Sequence, residues 1–430
     1  MKKIALSLAG VMAAVAFAPE ASAVPVFARQ TGMACSACHF QHFPLLNGFG
    51  RAFKSNGFSM VGSQEKVEGE HLSIPAVLNA AVLTSTYYQT ESGDTTGLGN
   101  KQSKWGVPAS GGELSIFYGG RIADGAGFLS ELGAGGTAST GAAKLAMMFP
   151  VGSANAGFVV YTGGQGAAYS FELLNTGAAD THKLMGNAGA NKQHVAATSA
   201  ASWLGARTDA TGISLVANSD MGFAVLGKFA AAAPGTGNAS DLPLTYFRAA
   251  ALFDMAGWDS AVGVQGFSGT QSSLGLGNSS YKATIVDAQM QGEVAGMSLG
   301  LYASYGTAPA DTNGNNLAGG WSTLYKANGT QPAGIGFSNV DKANSFNVAG
   351  TLELVPGVMT VQGGMRFGKI GSYKDNAVMI GGTYELAQNI EFGLNYTTQS
   401  GSAWDEFKRA NGGTEAVGKN MTTLLMEVLF

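Results

Sequence analysis

From Ile74 to the C-terminus the chain repeats one pattern, segments of about ten residues in which apolar and polar side chains alternate. A period of two sends successive side chains to opposite faces of a strand. Glu113 to Tyr118, Val358 to Phe367, Val378 to Leu386 and Ile390 to Thr398 show it plainly. No apolar run after residue 23 approaches the ~20 residues of a membrane-spanning helix. Charged residues make up 12% of the chain, with 64 glycines and 11 prolines, against roughly 25% charged residues in a soluble domain. Low charge, abundant glycine and alternating strands suit a sheet with one face against lipid.

Sixteen strands can be written, at 74–88, 112–122, 126–135, 142–149, 155–162, 211–217, 222–230, 244–254, 258–268, 281–291, 296–305, 345–354, 357–367, 376–386, 389–398 and 422–430. An even number is what a closed bacterial barrel uses. Short connections, such as 123–125 and 355–356, alternate with long ones rich in Gly, Ser, Asn and Thr at 89–111, 163–210, 231–243, 269–280, 306–344 and 399–421. The stretches 136–141 and 368–375 are modest members of the longer set, and Ala168 to Leu174 offers a further candidate strand. The expected fold is therefore an all-β, 16-stranded antiparallel outer-membrane barrel, with short turns on the periplasmic side. The last strand carries Leu424, Met426, Val428 and Phe430 on one face. It resembles the terminal assembly signal of bacterial outer-membrane barrels and predicts a periplasmic C-terminus.

The only two cysteines fall in Cys35-Ser36-Ala37-Cys38-His39. C-x-x-C-H is the pattern for covalent haem c attachment: two thioethers to one porphyrin, with the adjacent histidine as proximal iron ligand. A thioredoxin-type redox pair needs a βαβ setting that is lacking here, and a zinc site needs a second ligand pair. A disulfide over two intervening residues closes almost no loop. Candidates for the second axial position are Met60, His71, His42 and Met33. Methionine ligation raises the potential, which favours Met60. Phe49 and Phe53, four apart in a short helix at 47–54, either cover a porphyrin or pack a small core.

Residues 1–23 read as a secretory signal peptide, with Lys2 and Lys3, an apolar run from Ile4 to Phe17 and Ala21-Ser22-Ala23 for cleavage. Its removal takes away Lys2, Lys3 and Glu20, so the formal charge moves from -4 to -5. That mild acidity excludes nucleic acid as a natural partner. A segment at 24–72 would then carry one haem c, and 73–430 would form the porin-like barrel. The first is too small to be stable unaided and is expected to dock in or at the lumen.

The run from Pro25 to Lys54, PVFARQTGMACSACHFQHFPLLNGFGRAFK, resembles the fused outer-membrane cytochrome–porins of iron-oxidising bacteria. The resemblance implies a single haem held by Cys35, Cys38 and His39 that takes electrons from extracellular Fe(II) and gives them to a periplasmic electron carrier, a soluble cytochrome. Its partners would be Fe(II), that carrier and outer-membrane lipid, and its chemistry would be Fe(II) oxidation. Arg29, Gln30, Thr31 and Gly32 match the family pattern in a structural or supporting role. The alternatives are a conduit with another donor and a passive porin with a haem-bearing plug. His182 and His194 are too separated to suggest a metal site, and Glu91, Asp94, Asp311 and Asp405 are either hard-oxygen ligands for Fe(II) or solvated loop charges. No phosphate-binding glycine loop or G-x-S-x-G nucleophile motif has the required α/β setting.

Overall fold

A computed structural model describes residues 26–62, 64–93, 101–134, 141–177, 192–204, 210–231, 241–273, 277–310, 341–410, 413, 415–416 and 418–430. The leader at 1–23, His182, Asp94 and Asp311 lie outside the described residues.

Three short helices come first: α1 (Val26–Thr31), α2 (Cys35–Cys38) and α3 (Gly48–Ser55). A hairpin of β1 (Lys66–Gly69) and β2 (Leu72–Pro75) follows, paired only with itself. The barrel then opens with β3 (Ala80–Ser92), β4 (Lys101–Pro108), β5 (Gly111–Gly112), β6 (Leu114–Ala123), β7 (Ala126–Gly133), β8 (Gly141–Val151) and β9 (Ala154–Thr162). After helices α4 (Lys192–Thr198) and α5 (Ala200–Leu204) it continues with β10 (Ala210–Ser219), β11 (Gly222–Ala231), β12 (Leu244–Met255) and β13 (Trp258–Ser268). A loop hairpin of β14 (Thr270–Ser273) and β15 (Gly277–Ser280) leads to β16 (Ala283–Val294), β17 (Met297–Ala308), β18 (Ala343–Val355), β19 (Met359–Ile370), β20 (Tyr373–Ala387) and β21 (Ile390–Ser400). Helix α6 (Ser402–Ala410) precedes the final strand, β22 (Asn420–Leu429).

The barrel is closed by β22 against β3, with Leu424 opposite Tyr88 and Val428 opposite Thr84. β4, β5 and β6 lie in succession along the single strand β3, so they act as one interrupted strand and the barrel has 16 antiparallel strands. Side-chain polarity is inverted relative to a soluble core. On β10, Ile213 and Leu215 face outward while Ser214 and Asn218 are buried. On β19, Met365 and Phe367 are 45% and 53% exposed, whereas Gln362 and Arg366 on the opposite face are 4% and 1% exposed. An apolar exterior round a polar, filled interior is the construction of an outer-membrane barrel. No helix among the described residues is long and apolar enough to cross a membrane.

Four expectations change. The first barrel strand begins at Ala80 rather than 74, because Leu72–Pro75 turns back onto Lys66–Gly69. The expected loop 89–111 is largely strand: Tyr87 faces Gly106 and Ser92 faces Lys101. This extension is polar and held by Glu91–Lys104 at 2.6 Å and Tyr88 against Trp105 at 4.8 Å, so it lacks the alternation that marks a lipid-facing segment. The stretch 368–375 shrinks to a turn at Gly371 and Ser372, because Ile370 pairs with Tyr373. Ala168 to Leu174 forms turns, not a strand, and lies buried inside the barrel.

Candidate functional site

The barrel lumen is filled from two directions. One filler is the N-terminal segment, whose contacts run round the wall close to the seven short turns of one end, at 124–125, 152–153, 220–221, 256–257, 295–296, 356–358 and 388–389. Gln41 Nε2 donates to the Ser298 and Thr351 carbonyls at 2.8 and 3.2 Å, Arg51 Nη2 meets Asp259 at 2.5 Å, and Asn218 Nδ2 reaches the Ser55 carbonyl at 3.3 Å. These partners stand on β17, β18, β13 and β10, so one small segment is gripped from several sides. The other filler is the connection between β9 and β10, folded inward over its described residues.

The two fillers are joined to each other. Asn175 accepts the Leu46 amide at 2.9 Å, returns Nδ2 to the Leu46 carbonyl at 3.2 Å, and gives its own amide to Gln289 at 2.8 Å. Lys54 Nζ donates to the Glu172 carbonyl at 2.5 Å, and burial pulls the Lys54 ammonium down to about 8. Arg248, 1% exposed on β12, pairs with Glu172 at 3.1 Å and Asp287 at 2.6 Å. Near the other mouth Asp375 accepts from Trp203 Nε1 at 3.0 Å, Trp404 Nε1 at 2.9 Å and Arg366 Nη2 at 2.7 Å. That carboxylate ties α5, α6 and the wall together.

Within the first filler, one turn of helix puts Cys35 and Cys38 on a shared side, both partly exposed and not joined in a disulfide. Burial raises Cys35 to about 11, with the charge of Glu385 adding to it, and burial also raises Cys38. His39 Nδ1 lies 3.1 Å from the Leu45 carbonyl. A carbonyl only accepts, so Nδ1 carries the hydrogen in that bond. Desolvation holds the His39 ring down at about 4, so near neutral pH it is uncharged and its Nε2 keeps a lone pair. Cys35, Cys38 and His39 thus have the chemistry to hold a haem c: two thiols outside any disulfide and an imidazole whose tautomer is fixed by a backbone acceptor.

Asn47, which the sequence reading passed over, clasps this turn. Its amide donates to the Cys38 carbonyl at 3.1 Å and its Nδ2 to Ala37 at 3.0 Å, while Oδ1 caps α3 through the Gly50 amide at 2.9 Å. Its signal was legible as an N-cap residue before the GFGR run. Gly50 lets α3 close on the motif, since a Cβ there would stand 2.1 Å from the Cys38 carbonyl oxygen. Gln30 is fully buried, donating to the Phe58 and Met60 carbonyls at 2.7 Å each and accepting the Arg121 amide at 2.9 Å. Phe53 packs the core, 4.9 Å from Phe27, while Phe49 is half-buried.

The second-ligand candidates are spread out. Met60 is half-buried against the cluster of Phe53 and Phe58. His42 is buried, with Nδ1 at 2.6 Å from the Phe43 carbonyl and 3.7 Å from Glu391, and its Nε2 has no hydrogen-bond partner among the described residues. Met33 is 40% exposed just ahead of the motif. His71 is at the exposed tip of the β1–β2 hairpin, 3.9 Å from Glu70. His194 on α4 is enclosed, bonding Thr397 through Nδ1 and Thr423 through Nε2 at 3.1 Å. Glu91 is taken up by Lys104, and Asp405 stands in the first turn of α6. No group of three potential metal ligands forms among the described residues.

No family model matches the chain, and no curated protein matches it. Among solved structures it is similar to OmpT of Vibrio cholerae at 9% identity, covering 85% of this chain and 100% of that one with a TM-score of 0.45. It is also similar to an anion-selective porin from Comamonas acidovorans at 15% identity, covering 82% and 99% with a TM-score of 0.46. OprB of Pseudomonas putida gives 9% identity, 81% and 94% coverage and a TM-score of 0.49. The class of this protein follows from its own architecture: a porin-like outer-membrane β-barrel whose lumen is occupied by its N-terminal segment and an inward-folded loop.

Proposed function

We propose that the chain is an outer-membrane c-type cytochrome–porin, in which one haem c accepts electrons from extracellular Fe(II) and passes them to a soluble carrier in the periplasm. The observation that carries this reading is the C-x-x-C-H turn lodged inside a closed barrel, with both cysteines outside any disulfide and His39 Nδ1 committed to the Leu45 carbonyl. When bound, the haem supplies a one-electron couple. Cys35 and Cys38 would hold it covalently and His39 would bind its iron, with Asn47 and Gly50 holding that turn against α3; Met60 would be the favoured second iron-binding side chain, with His42, His71 and Met33 as alternatives. Both the final strand and the N-terminal segment meet the short-turn end, and short turns face the periplasm in bacterial barrels. This reading therefore gives the motif and Phe430 a periplasmic address, and the long-loop end faces Fe(II).

Two fillers inside the barrel support an electron conduit over an open passive channel, because packed protein obstructs hydrated solutes while electrons tunnel over short distances through it. Anaerobic visible spectroscopy of the membrane-inserted ferric protein tests the reading. Prompt ferrous haem c bands on adding Fe(II) are expected; a haem that dithionite reduces and Fe(II) does not would rule out iron as donor.

A further inference from the structure

We propose that the short-turn mouth, with the β1–β2 hairpin standing at it, is a docking surface for a soluble haem protein whose exposed haem edge is ringed by lysines; this rests on the conduit reading above. The hairpin is a two-stranded sheet with no further strand on either edge, and Val67, Leu72 and Ile74 are each 46–47% exposed. A two-stranded ribbon is marginal alone, yet this one is anchored. Arg121 Nη1 donates to Ser73 Oγ at 3.0 Å, and the Gly62 amide donates to the Gln30 carbonyl at 3.3 Å. The first bond ties the hairpin to β6, and the second ties the chain just ahead of it to α1, which leads directly into the C-x-x-C-H turn. Exposed apolar surface held in place beside a site marks an interaction face.

Acidic side chains outnumber basic ones around it. Asp124, Asp220, Asp254 and Glu293 stand exposed at four of the seven short turns, and no short turn carries a lysine or arginine. Glu68 and Glu70 extend the acidity onto the hairpin. The cations nearby are committed: Lys66 to Glu68 at 3.6 Å, Arg121 to Asp124 at 2.8 Å, and Arg29 to the Ala80 carbonyl at 3.0 Å. At the long-loop end both signs mix, as in Lys104 with Glu91, Arg409 with Glu406, and Lys408 and Lys419 with Glu415. The formal charge of the whole chain is only -4, so the short-turn acidity is a local segregation. An apolar centre in an acidic rim complements a basic rim around an apolar haem edge, and such pairs associate fast and weakly.

The test uses the full-length holoprotein in lipid nanodiscs, reduced and mixed with a lysine-rich cytochrome c or with the same cytochrome after succinylation. Transfer to the basic probe is expected to slow about tenfold or more as salt rises, and the succinylated probe should react slowly at every ionic strength. The D124N/D220N/D254N/E293Q variant should lose about tenfold in rate at low salt, with its haem spectrum and its reduction by Fe(II) unchanged. Val67→Ser with Ile74→Ser should slow transfer at all salt concentrations; an unchanged rate in that variant assigns the hairpin face to lipid and overturns its part in docking. Salt-independent transfer, or equal rates for the two probes, overturns the surface itself. A preparation with no haem c spectrum instead defeats the conduit reading, and binding of the haem-free protein to the basic probe then still decides the surface.

Discussion

Gly50 determines how closely α3 can approach the C-x-x-C-H turn. In Gly50→Ala the new methyl group meets the Cys38 backbone oxygen at 2.1 Å, and backbone has to move. A cost of about 1–3 kcal/mol is expected, read as a lower ratio of haem to protein after expression. Asn47→Ala removes the cap of α3 and the clasp on Ala37 together, at about 1–2 kcal/mol, with the same readout. Met60→Leu should abolish the long-wavelength charge-transfer band of methionine-ligated ferric haem and lower its potential. If that band is absent in the parent protein, or survives the substitution, Met60 is not the ligand. His42 is then next to test, since its Nε2 is buried with no hydrogen-bond partner among the described residues.

At the scale of elements, the inward connection between β9 and β10 is fastened by charge. Arg248→Met leaves Glu172 and Asp287 buried without their shared cation, a loss of about 3–5 kcal/mol. The expected result is protease cleavage within 163–204 while the barrel keeps its resistance to unfolding in detergent. Intact 163–204 in the variant would show that apolar packing alone holds the connection. His194 ties the same connection to β21 and β22, and burial takes its imidazole from 6.5 to about 3. The folded site therefore binds a proton less readily than the opened one. Its contribution is complete above pH ~6.5 and falls, by roughly 1.4 kcal/mol per pH unit, as the pH drops toward 3. Proteolytic opening of 163–204 should accelerate in acid in the parent protein, and His194→Gln should flatten that dependence.

At the scale of the whole molecule, a 16-stranded barrel is wide enough for an aqueous channel, but this lumen holds two interlocked fillers. Asn175, bonded at once to Leu46 and to Gln289, makes each filler a support for the other. The intact protein is expected to show little solute conductance in planar bilayers. Arg51→Ala breaks the contact with Asp259 at 2.5 Å and should produce intermittent openings. Steady porin-like current through the parent protein would mean that the fillers leave a continuous water path. Toward the long-loop mouth α5 and α6 are tied to the wall, since Trp203 and Trp404 both donate to Asp375.

The alternation in segments such as Val358 to Phe367 was sufficient to reveal a lipid-facing wall, because side chains on a strand must alternate and lipid tolerates only apolar ones. The two thiols and one histidine in five residues were equally local, and so the candidate site was legible. Strand ends beyond the membrane were not, since Lys101 to Pro108 pairs through backbone bonds and a few polar contacts that leave no periodic mark. Nor was the filling of the lumen. Ala168 to Leu174 reads locally as a candidate strand, and the inward course of Gly166 to Gly177 depends on Arg248, Asp287 and Gln289, which are remote in sequence. Local chemistry determined the wall and the motif. Only the closed barrel could decide what the wall encloses, because the lumen and the contacts that fill it come into being when β22 pairs with β3.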